Sequence, residues 1–575
     1  MAVPDLTAWR ALVDKELAGA PFDRLVQRTA EGIAIEPLYT ERPGDPPPPG
    51  AAPFVRGARR EAPAFQLCMR LPPGADAAAE LDAGTDALWI ESIDRAALHA
   101  ARVRGRIVVI GPDGVFEREA PAKLRQARLR EQEWTTAERA DSDQADRSDG
   151  EGGEAAGELW STLDWISAMV RGGMPLDVHP YAPLAPPVED ALEHCPTWRC
   201  IRVTGLPFHE LGADAADELA LMLSSLVAAL RHLDAAKLDT ARVAPLLWAQ
   251  ISVGRDTFGE LCKLRALRVV WHKVLMAAGV RSTGLDAIHA VCSERGLSQR
   301  DPWVNMLRVT TQVFAAALGG AQLITPLPFD AAFAQPSALG QRVARNTALV
   351  LRDESQLGRV LDAAGGSYYI EARTDALARE AWSRFTAIER DGGIVQLLRT
   401  GGLHARLAAA WKQRAAAISR RKEPVLGVSE FANLREQLPG APLAPPGVHR
   451  DAEAFEALRG RVEAAPRDVA LIQLGPPVEH RPRTGFAEGF FAVAGLRAVP
   501  REVGPGLDVA CLCGSDERYA AEAVATARAL RAAGARRVVL AGRPGALEAE
   551  LRGAGVDAFL YLGCDVVATL EEILA

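Results

Sequence analysis

The chain has 575 residues, 48% hydrophobic and 24% charged, which predicts a globular protein with more than one domain. Its formal net charge of -8 argues against nucleic acid or an anionic membrane as a partner. We expect neither a secretory signal nor a membrane span, because charged residues interrupt every apolar run. Eight cysteines in so long a chain do not suggest a disulfide framework, so a reducing cytoplasm is expected.

The first predicted element is an N-terminal arm, residues 1–42. It opens with an amphipathic helix whose apolar residues recur on one stripe: Leu6, Trp9, Leu12, Val13 and Leu17. A proline-rich run from Pro43 to Pro53 separates the arm from the body of the protein. Two interpretations remain open: the arm packs on a partner chain, or it covers its own domain.

Residues 43–425 predict a domain in which short apolar strands alternate with long helices. The strand candidates are residues 88–90, 107–110, 200–203, 246–251 and 323–324. This alternation predicts a parallel sheet, either closed as a barrel or left open. Residues 131–156 interrupt the pattern; they are rich in charged residues, serine and glycine, and predict a disordered loop.

A second α/β domain is predicted at the C-terminus, residues 467–575, after a linker at residues 426–466. Its five apolar strands are residues 469–472, 496–499, 509–512, 538–540 and 559–561. Helical patterns separate these strands. Five βα units in so short a stretch predict a doubly wound, flavodoxin-like fold.

Several motifs, taken together, resemble blocks of the methylmalonyl-CoA mutases. The blocks are Arg28-Thr29, Pro37-Leu38-Tyr39-Thr40, Phe258 to Ala266, Asp301-Pro302-Trp303-Val304-Asn305, Gly319-Gly320-Ala321-Gln322, Arg345-Asn346-Thr347 and Gly365-Gly366-Ser367-Tyr368-Tyr369. They occur in register nearly from end to end, which is more specific than any single motif. The resemblance implies an α/β chain with a (β/α)8 TIM barrel followed by a flavodoxin-like domain of the cobalamin-binding type.

The cobalamin motif of this family is altered in the present chain. Active members isomerise methylmalonyl-CoA to succinyl-CoA with a radical supplied by adenosylcobalamin. Their D-x-H-x-x-G motif contains the histidine that ligates cobalt, an aspartate that orients it, and a glycine that lets the corrin approach. His480 stands at the ligand position, but Val478 replaces the aspartate and Arg483 replaces the glycine. We therefore interpret His480 as a surface histidine and assign no cofactor-binding residue.

The pocket for the nucleotide tail of cobalamin is altered as well. Active members of the family carry S-x-L at the third strand and G-G at the fourth, small residues that leave room for the tail. Here those positions are Cys513-Gly514-Ser515 and Ala541-Gly542. The next helix begins at Asp516-Glu517, a carboxylate pair that would repel the phosphate of the tail. These differences predict that this chain binds no cobalamin.

The barrel has also lost the residues that the resemblance associates with catalysis. Catalytic members place a tyrosine shortly after P-F-x-R-G, whereas no tyrosine occurs here between Tyr39 and Tyr181. They also place a histidine five residues before a Gly-Ala pair. His209 lies only three residues before Gly212-Ala213, a spacing that looks like the family's small subunits. The polar L-H-T-N of active members is replaced by Ile324 to Leu327, so we assign no catalytic residue.

Other candidate sites are weaker. His194-Cys195 with Cys200, and the pair Cys511 and Cys513, have too few partners for a structural zinc site, so no metal is predicted. Buried thiols are the better interpretation of these cysteines. Gly365-Gly366 predicts a turn with no helix directly behind it, which argues against a phosphate-binding loop.

These losses imply a small, non-catalytic subunit of a heterodimeric mutase. Its partner would be a homologous, larger catalytic chain that carries the adenosylcobalamin. One alternative is a divergent but active cobalamin-dependent mutase that uses His480 and His209. A second alternative is a chaperone or regulatory relative, which would usually carry a GTPase module, and this chain has no G-x-x-x-x-G-K-[ST] loop.

Overall fold

The computed structural model describes residues 6–61, 64–90, 97, 100–101, 106–110, 159–170, 184–194, 199–281, 284–443 and 448–575. The predicted disordered loop at residues 131–156 lies outside these ranges. None of the helices in the described ranges combines the length and the apolar character that crossing a membrane requires.

The arm consists of a helix and a small hairpin. The elements are the helix Leu6–Leu17, the 3-10 helix Phe22–Leu25 and the antiparallel strands β1, Gln27–Arg28, and β2, Ala34–Ile35. The predicted amphipathic helix is therefore present. None of its residues is buried.

A closed barrel of parallel strands follows the arm. Its eight strands are β3, Gln66–Leu71; β4, Ala87–Ile90; β5, Ile107–Ile110; β6, Leu159–Leu163; β7, Arg199–Thr204; β8, Leu247–Val253; β9, Ile288–Cys292; and β10, Leu323–Thr325. Neighbours follow chain order, and β10 closes the barrel by pairing with β3. The five predicted strands are confirmed as β4, β5, β7, β8 and β10. The closed barrel, one of the two predicted forms of the sheet, is confirmed as well.

Helices surround the barrel strands. Those up to β10 and just after it are Ala77–Asp82, Trp165–Val170, Ala185–His194, Leu206–Glu210, Ala215–Ala235, Thr240–Val243, Thr257–Ala277, Val304–Leu318 and Ala338–Leu349. Short 3-10 helices span Ala244–Leu246 and Glu294–Gly296, and a π-helix spans Val350–Glu354. The helix Thr257–Ala277 begins where Asp256 accepts a hydrogen bond from the Gly259 amide at 3.0 Å, which satisfies its first turn.

Three more helices pack against the barrel: Tyr368–Arg390, Gly393–Arg399 and Gly402–Ser419. The first begins two residues after Gly366, so the expectation that no helix opens behind Gly365-Gly366 is wrong. The Gly366 amide donates to Glu371 of the same helix at 2.8 Å. Because an internal carboxylate already satisfies this amide, the turn is not organised to bind a phosphate.

The second domain is a five-stranded parallel sheet with the order β12-β11-β13-β14-β15. The strands are β11, Asp468–Gln473; β12, Arg497–Pro500; β13, Val509–Cys513; β14, Arg537–Ala541; and β15, Ala558–Leu560. All five predicted strands are confirmed. The helices of this domain are Glu453–Ala464, Pro477–Ala492, Asp516–Arg518, Val524–Ala532, Glu548–Gly553 and Val566–Leu574, with a π-helix at Tyr519–Ala523 and a 3-10 helix at Gly545–Leu547.

Apolar side chains cover both faces of this sheet. Alternate residues of β11, β13, β14 and β15 enter two separate cores, one containing Phe490 and Phe491, the other Leu530 and Leu551. Phe455, from the helix Glu453–Ala464 inside the predicted linker, packs into the first core. These four strands are therefore buried from both sides, as expected for a doubly wound parallel sheet, whereas the edge strand β12 has no buried residue.

Ion pairs tie this part of the chain to the barrel. Asp451, just before the helix Glu453–Ala464, accepts from Arg255 at 2.8 Å and from Arg414 at 2.7 Å. Burial opposes its ionisation, but the two arginines hold the pKa of Asp451 well below its usual range. Arg300, after β9, forms two hydrogen bonds with Glu463 at 2.7 and 2.6 Å.

Candidate functional site

The interior of the barrel is filled by aromatic side chains. Trp89, Trp160 and Trp248 point inward from β4, β6 and β8 and are fully buried or nearly so. The rings of Trp160 and Trp248 lie 5.2 Å apart, and Trp248 stacks on His289. A filled interior leaves the rim formed by the C-terminal ends of the strands as the place for a binding site in this domain.

A chain of hydrogen bonds crosses the same interior. Gln250 accepts from Arg202 at 3.1 Å and lies 3.2 Å from Nδ1 of His289, whose Nε2 lies 2.7 Å from the Thr325 hydroxyl. Burial lowers the pKa of His289 to about 3, so the ring is neutral, with one nitrogen donating and the other accepting. Thr325 belongs to the segment, Ile324 to Leu327, that was predicted to replace L-H-T-N. Its hydroxyl already forms a hydrogen bond with His289.

His209 lies at the rim, in the short helix Leu206–Glu210 after β7. Its Nε2 is 2.7 Å from the Ser293 hydroxyl, and its Nδ1 is 3.6 Å from Glu218. Serine, histidine and glutamate in this order match the connectivity of a hydrolase triad. However, burial, reinforced by the nearby charge of Arg295, lowers the pKa of His209 to about 3, which makes the ring a poor general base at neutral pH. We interpret the cluster as structural.

The same cluster contains a buried lysine between two carboxylates. Lys263 lies 2.7 Å from Glu218 and 2.6 Å from Glu260, and it also donates to the Ser252 hydroxyl at 3.1 Å. Burial opposes both charges, but Lys263 lowers the pKa of Glu218 to about 2, and the carboxylates raise the pKa of Lys263. Glu218 and Lys263 are therefore both charged, and their polar atoms form hydrogen bonds within the protein.

A cavity of about 850 Å³ lies beside this cluster. It is bounded by the arm hairpin, the loops after β7, β8 and β9, and the helices Tyr368–Arg390 and Gly402–Ser419. Gly212, from the Gly-Ala pair, has a φ of +115°, and an added Cβ would lie 2.7 Å from the Cβ of Trp411. Glycine is required here because it combines a conformation unfavourable for other residues with close packing of the neighbouring helix.

His480 is buried, so its interpretation as a surface histidine is wrong. It lies in the helix Pro477–Ala492 with only 8% of its surface exposed, and its Nδ1 is 3.3 Å from the Thr484 hydroxyl. One face of this helix packs into the domain, and it carries positions 480, 484, 487 and 491. Val478, which the resemblance places at the position of the orienting aspartate, is 81% exposed.

Tyr519 fills the edge of the second sheet where β13 and β14 end. Its hydroxyl donates to the carbonyl of Ala541 at 2.7 Å and accepts from the amide of Gly514 at 3.0 Å. The guanidinium carbon of Arg483 lies 4.8 Å from the centre of its ring. Ligands of doubly wound sheets bind in the crevice at these carboxyl ends. Here side chains of the protein occupy that space.

Arg483 also changes the electrostatics of this edge. Its Nη2 lies 2.6 Å from Asp516, so the carboxylate expected to repel a phosphate is held in an ion pair. A Cβ added to Gly542 would lie 2.9 Å from Nη1 of Arg483. The arginine thus packs against Gly542, which the resemblance places in the motif of the nucleotide tail. Tyr519 was not among the predicted site residues. The sequence feature that could have indicated it is a bulky aromatic residue four positions after Ser515, just behind the altered tail motif.

Within the described residues, histidine, cysteine, aspartate and glutamate form no group of three or more that could hold a metal ion. Cys511 and Cys513 are buried in one core with their sulfur atoms 4.0 Å apart. Cys200 is buried in the barrel domain. Cys195 lies outside the described residues.

Comparisons with known proteins agree with the motifs. The family model described as methylmalonyl-CoA mutase matches residues 178–475. The methylmalonyl-CoA mutase small subunit of Streptomyces virginiae is 36% identical over 99% of this chain and 97% of its own length. The small subunit of Propionibacterium freudenreichii subsp. shermanii is 31% identical over 98% and 91%. The Escherichia coli methylmalonyl-CoA mutase is 27% identical over 74% of this chain and 63% of its own length. The chain therefore belongs to the methylmalonyl-CoA mutase family.

Proposed function

We propose that this chain is the small, non-catalytic subunit of a heterodimeric methylmalonyl-CoA mutase in a reducing cytoplasm. It would support a homologous, larger catalytic chain that carries the adenosylcobalamin. Similarity over nearly the whole chain to two proteins named small subunits supports this role. The strand order of the second sheet is that of flavodoxin-like domains, which supports descent from a cobalamin-binding domain.

The observation that carries the proposal is the filled edge of the second sheet. The residues there do not fit cobalamin, because Arg483 and Tyr519 occupy the crevice and Val478 supplies no carboxylate to orient a ligating histidine. His480 would also have to leave the buried face of its helix to reach a cobalt ion. Each of these differences opposes binding separately.

The rim of the barrel supports the same conclusion. A general acid needs a proton to give near neutral pH and a free path to its substrate. The pKa of His209 is lowered by burial to about 3, and both ring nitrogens face groups of the protein. An active mutase would need His209 released from Ser293 and Glu218, so this alternative has less support.

The arm supplies a surface for the partner. Its hairpin is anchored to the barrel, because Glu31 accepts from the amide of Ala215 at 3.0 Å. The helix Leu6–Leu17 has no buried residue, and Leu12 on its apolar stripe is 61% exposed. An amphipathic helix whose apolar stripe is only partly covered is suited to dock on another chain, so we infer that it contacts the catalytic subunit.

A spectroscopic titration tests the proposal. Adenosylcobalamin is added to the purified full chain, to the large mutase subunit and to the two together, and the corrin absorption is followed. We expect the spectrum to stay unchanged with this chain alone and to change when the large subunit is present. A base-off, histidine-ligated spectrum with this chain alone, lost in His480→Ala, would overturn the proposal.

A further inference from the structure

The cavity between the arm hairpin and the barrel rim has no part in the proposed subunit role. Its volume of about 850 Å³ falls in the range of small-molecule sites, roughly 300–1,000 Å³. Its walls include apolar side chains, among them Ile33, just before β2, and Leu377 of the helix Tyr368–Arg390. The cavity is therefore large enough for a nucleotide-sized molecule and has apolar surface to cover part of it.

The carboxylates that line the cavity are already neutralised. Those held in ion pairs are Asp214, Glu218, Asp256, Glu260, Glu423 and Asp451. Glu31 accepts a hydrogen bond from the backbone amide of Ala215. Repulsion of an anion by these groups is consequently weak, because each negative charge has a nearby cation or backbone donor.

Several cations of the lining have no such partner. Arg420 and Lys422 are exposed and form no ion pair among the described residues, and the guanidinium of exposed Arg28 donates to the carbonyl of Gly32. Arg295, buried in the wall, donates to the carbonyls of His209 and Ala213. Its charge is therefore not matched by a directly bonded carboxylate. The result is an excess of positive charge on one cavity.

We propose that this cavity binds an organic anion of nucleotide size that carries at least two negative charges, as phosphate or carboxylate. Guanidinium and ammonium groups bind both kinds of oxyanion through charge-assisted hydrogen bonds. Arg28 belongs to the arm, whereas Arg420 and Lys422 follow the helix Gly402–Ser419. A bound anion bridges these segments and holds the arm hairpin against the rim.

Calorimetric titration of the full chain tests the site with three probes: ADP, citrate and uncharged adenosine. We expect ADP or citrate to bind, more weakly at high ionic strength, and adenosine not to bind. Binding of ADP alone assigns a phosphate ligand, and binding of citrate alone assigns a carboxylate ligand. Absence of binding by both anions, or equal binding of adenosine, overturns the proposal.

Charge-removing variants locate the binding. Arg420→Gln combined with Lys422→Gln should weaken the affinity about tenfold, since each exposed ion pair contributes a few-fold. Lys412→Gln is the matched control, because Lys412 is exposed on the helix Gly402–Ser419 but outside the cavity lining. Equal losses in the double variant and the control would place the binding elsewhere. Neither probe nor readout involves cobalamin, so failure here leaves the subunit role untouched.

Discussion

Arg483 lies over the ring of Tyr519, with its guanidinium carbon 4.8 Å from the ring centre. The tyrosine hydroxyl joins the ends of two strands, and the arginine covers it from outside. The motif resemblance places Arg483 at the position of the glycine that admits the corrin in active members of the family. The substitution therefore does more than remove a glycine, because the new side chain closes the crevice together with Tyr519.

Replacing Tyr519 with phenylalanine should destabilise the second domain by about 1–3 kcal/mol. The change leaves the amide of Gly514 and the carbonyl of Ala541 buried without their present partner. Urea unfolding measured by circular dichroism checks this. Tyr368→Phe is the control, since Tyr368 is 45% exposed, and it should change the free energy of unfolding far less. Equal values for both variants would contradict the role of the hydroxyl.

Replacing Lys263 with methionine should cost about 3–5 kcal/mol of stability. The change leaves Glu218 and Glu260 buried without their shared counter-ion. Denaturant unfolding of Lys263→Met is compared with that of Lys412→Met, which alters a lysine on the surface. We expect only the first variant to lose stability. A loss below about 1 kcal/mol would mean that the cluster relaxes or admits water.

Two buried histidines predict loss of stability in acid. The pKa values of His209 and His289 are lowered by burial to about 3, whereas unfolded histidine titrates near 6.5. Below pH 6.5 the unfolded state takes up protons that the folded state does not, so their contribution is complete above pH 6.5 and falls toward pH 3. Each histidine should contribute a slope of about 1.4 kcal/mol per pH unit between these limits. In urea unfolding at several pH values, His289→Gln should flatten the slope; an unchanged slope would contradict the prediction.

If chemistry resides in the partner chain, His209→Gln should leave turnover per assembled complex nearly unchanged. Loss of a working general acid would instead lower the rate on the order of a hundredfold or more. The measurement is the rate of methylmalonyl-CoA conversion, normalised to cobalamin-loaded complex. A large loss with the complex intact would show that this chain takes part in catalysis.

Deleting residues 1–20 should weaken the heterodimer without destabilising this chain. The deleted helix Leu6–Leu17 has no buried residue, so the thermal midpoint of the isolated chain should stay the same. Affinity for the large subunit, measured by surface-immobilised binding, should fall by at least tenfold, and Leu12→Glu should reproduce part of the loss. Unchanged affinity in both variants would mean that the arm helix does not contact the partner.

The patterns that the sequence predicted well are local or shared with the family. Four strands of the second sheet, β11, β13, β14 and β15, contain continuous apolar runs because helices cover both faces, and such runs are readable without knowing their neighbours. In the barrel, β3, β6 and β9 were missed. β9 carries His289 among apolar residues, because this side chain enters a hydrogen-bonded network inside the closed barrel.

The sequence by itself determined the family and the alternation of strands and helices, and it predicted the loss of the aspartate and glycine around His480. Only the tertiary structure decided that His480 is buried and that Tyr519 fills the sheet edge under Arg483. It also decided that Arg28 and Lys422, which form no ion pair within the described part of the chain, line one cavity. The physical reason is that spacing along a chain specifies which face of a helix or strand a residue occupies. Which distant face lies opposite, and whether a charge there is already neutralised, depends on how the elements pack.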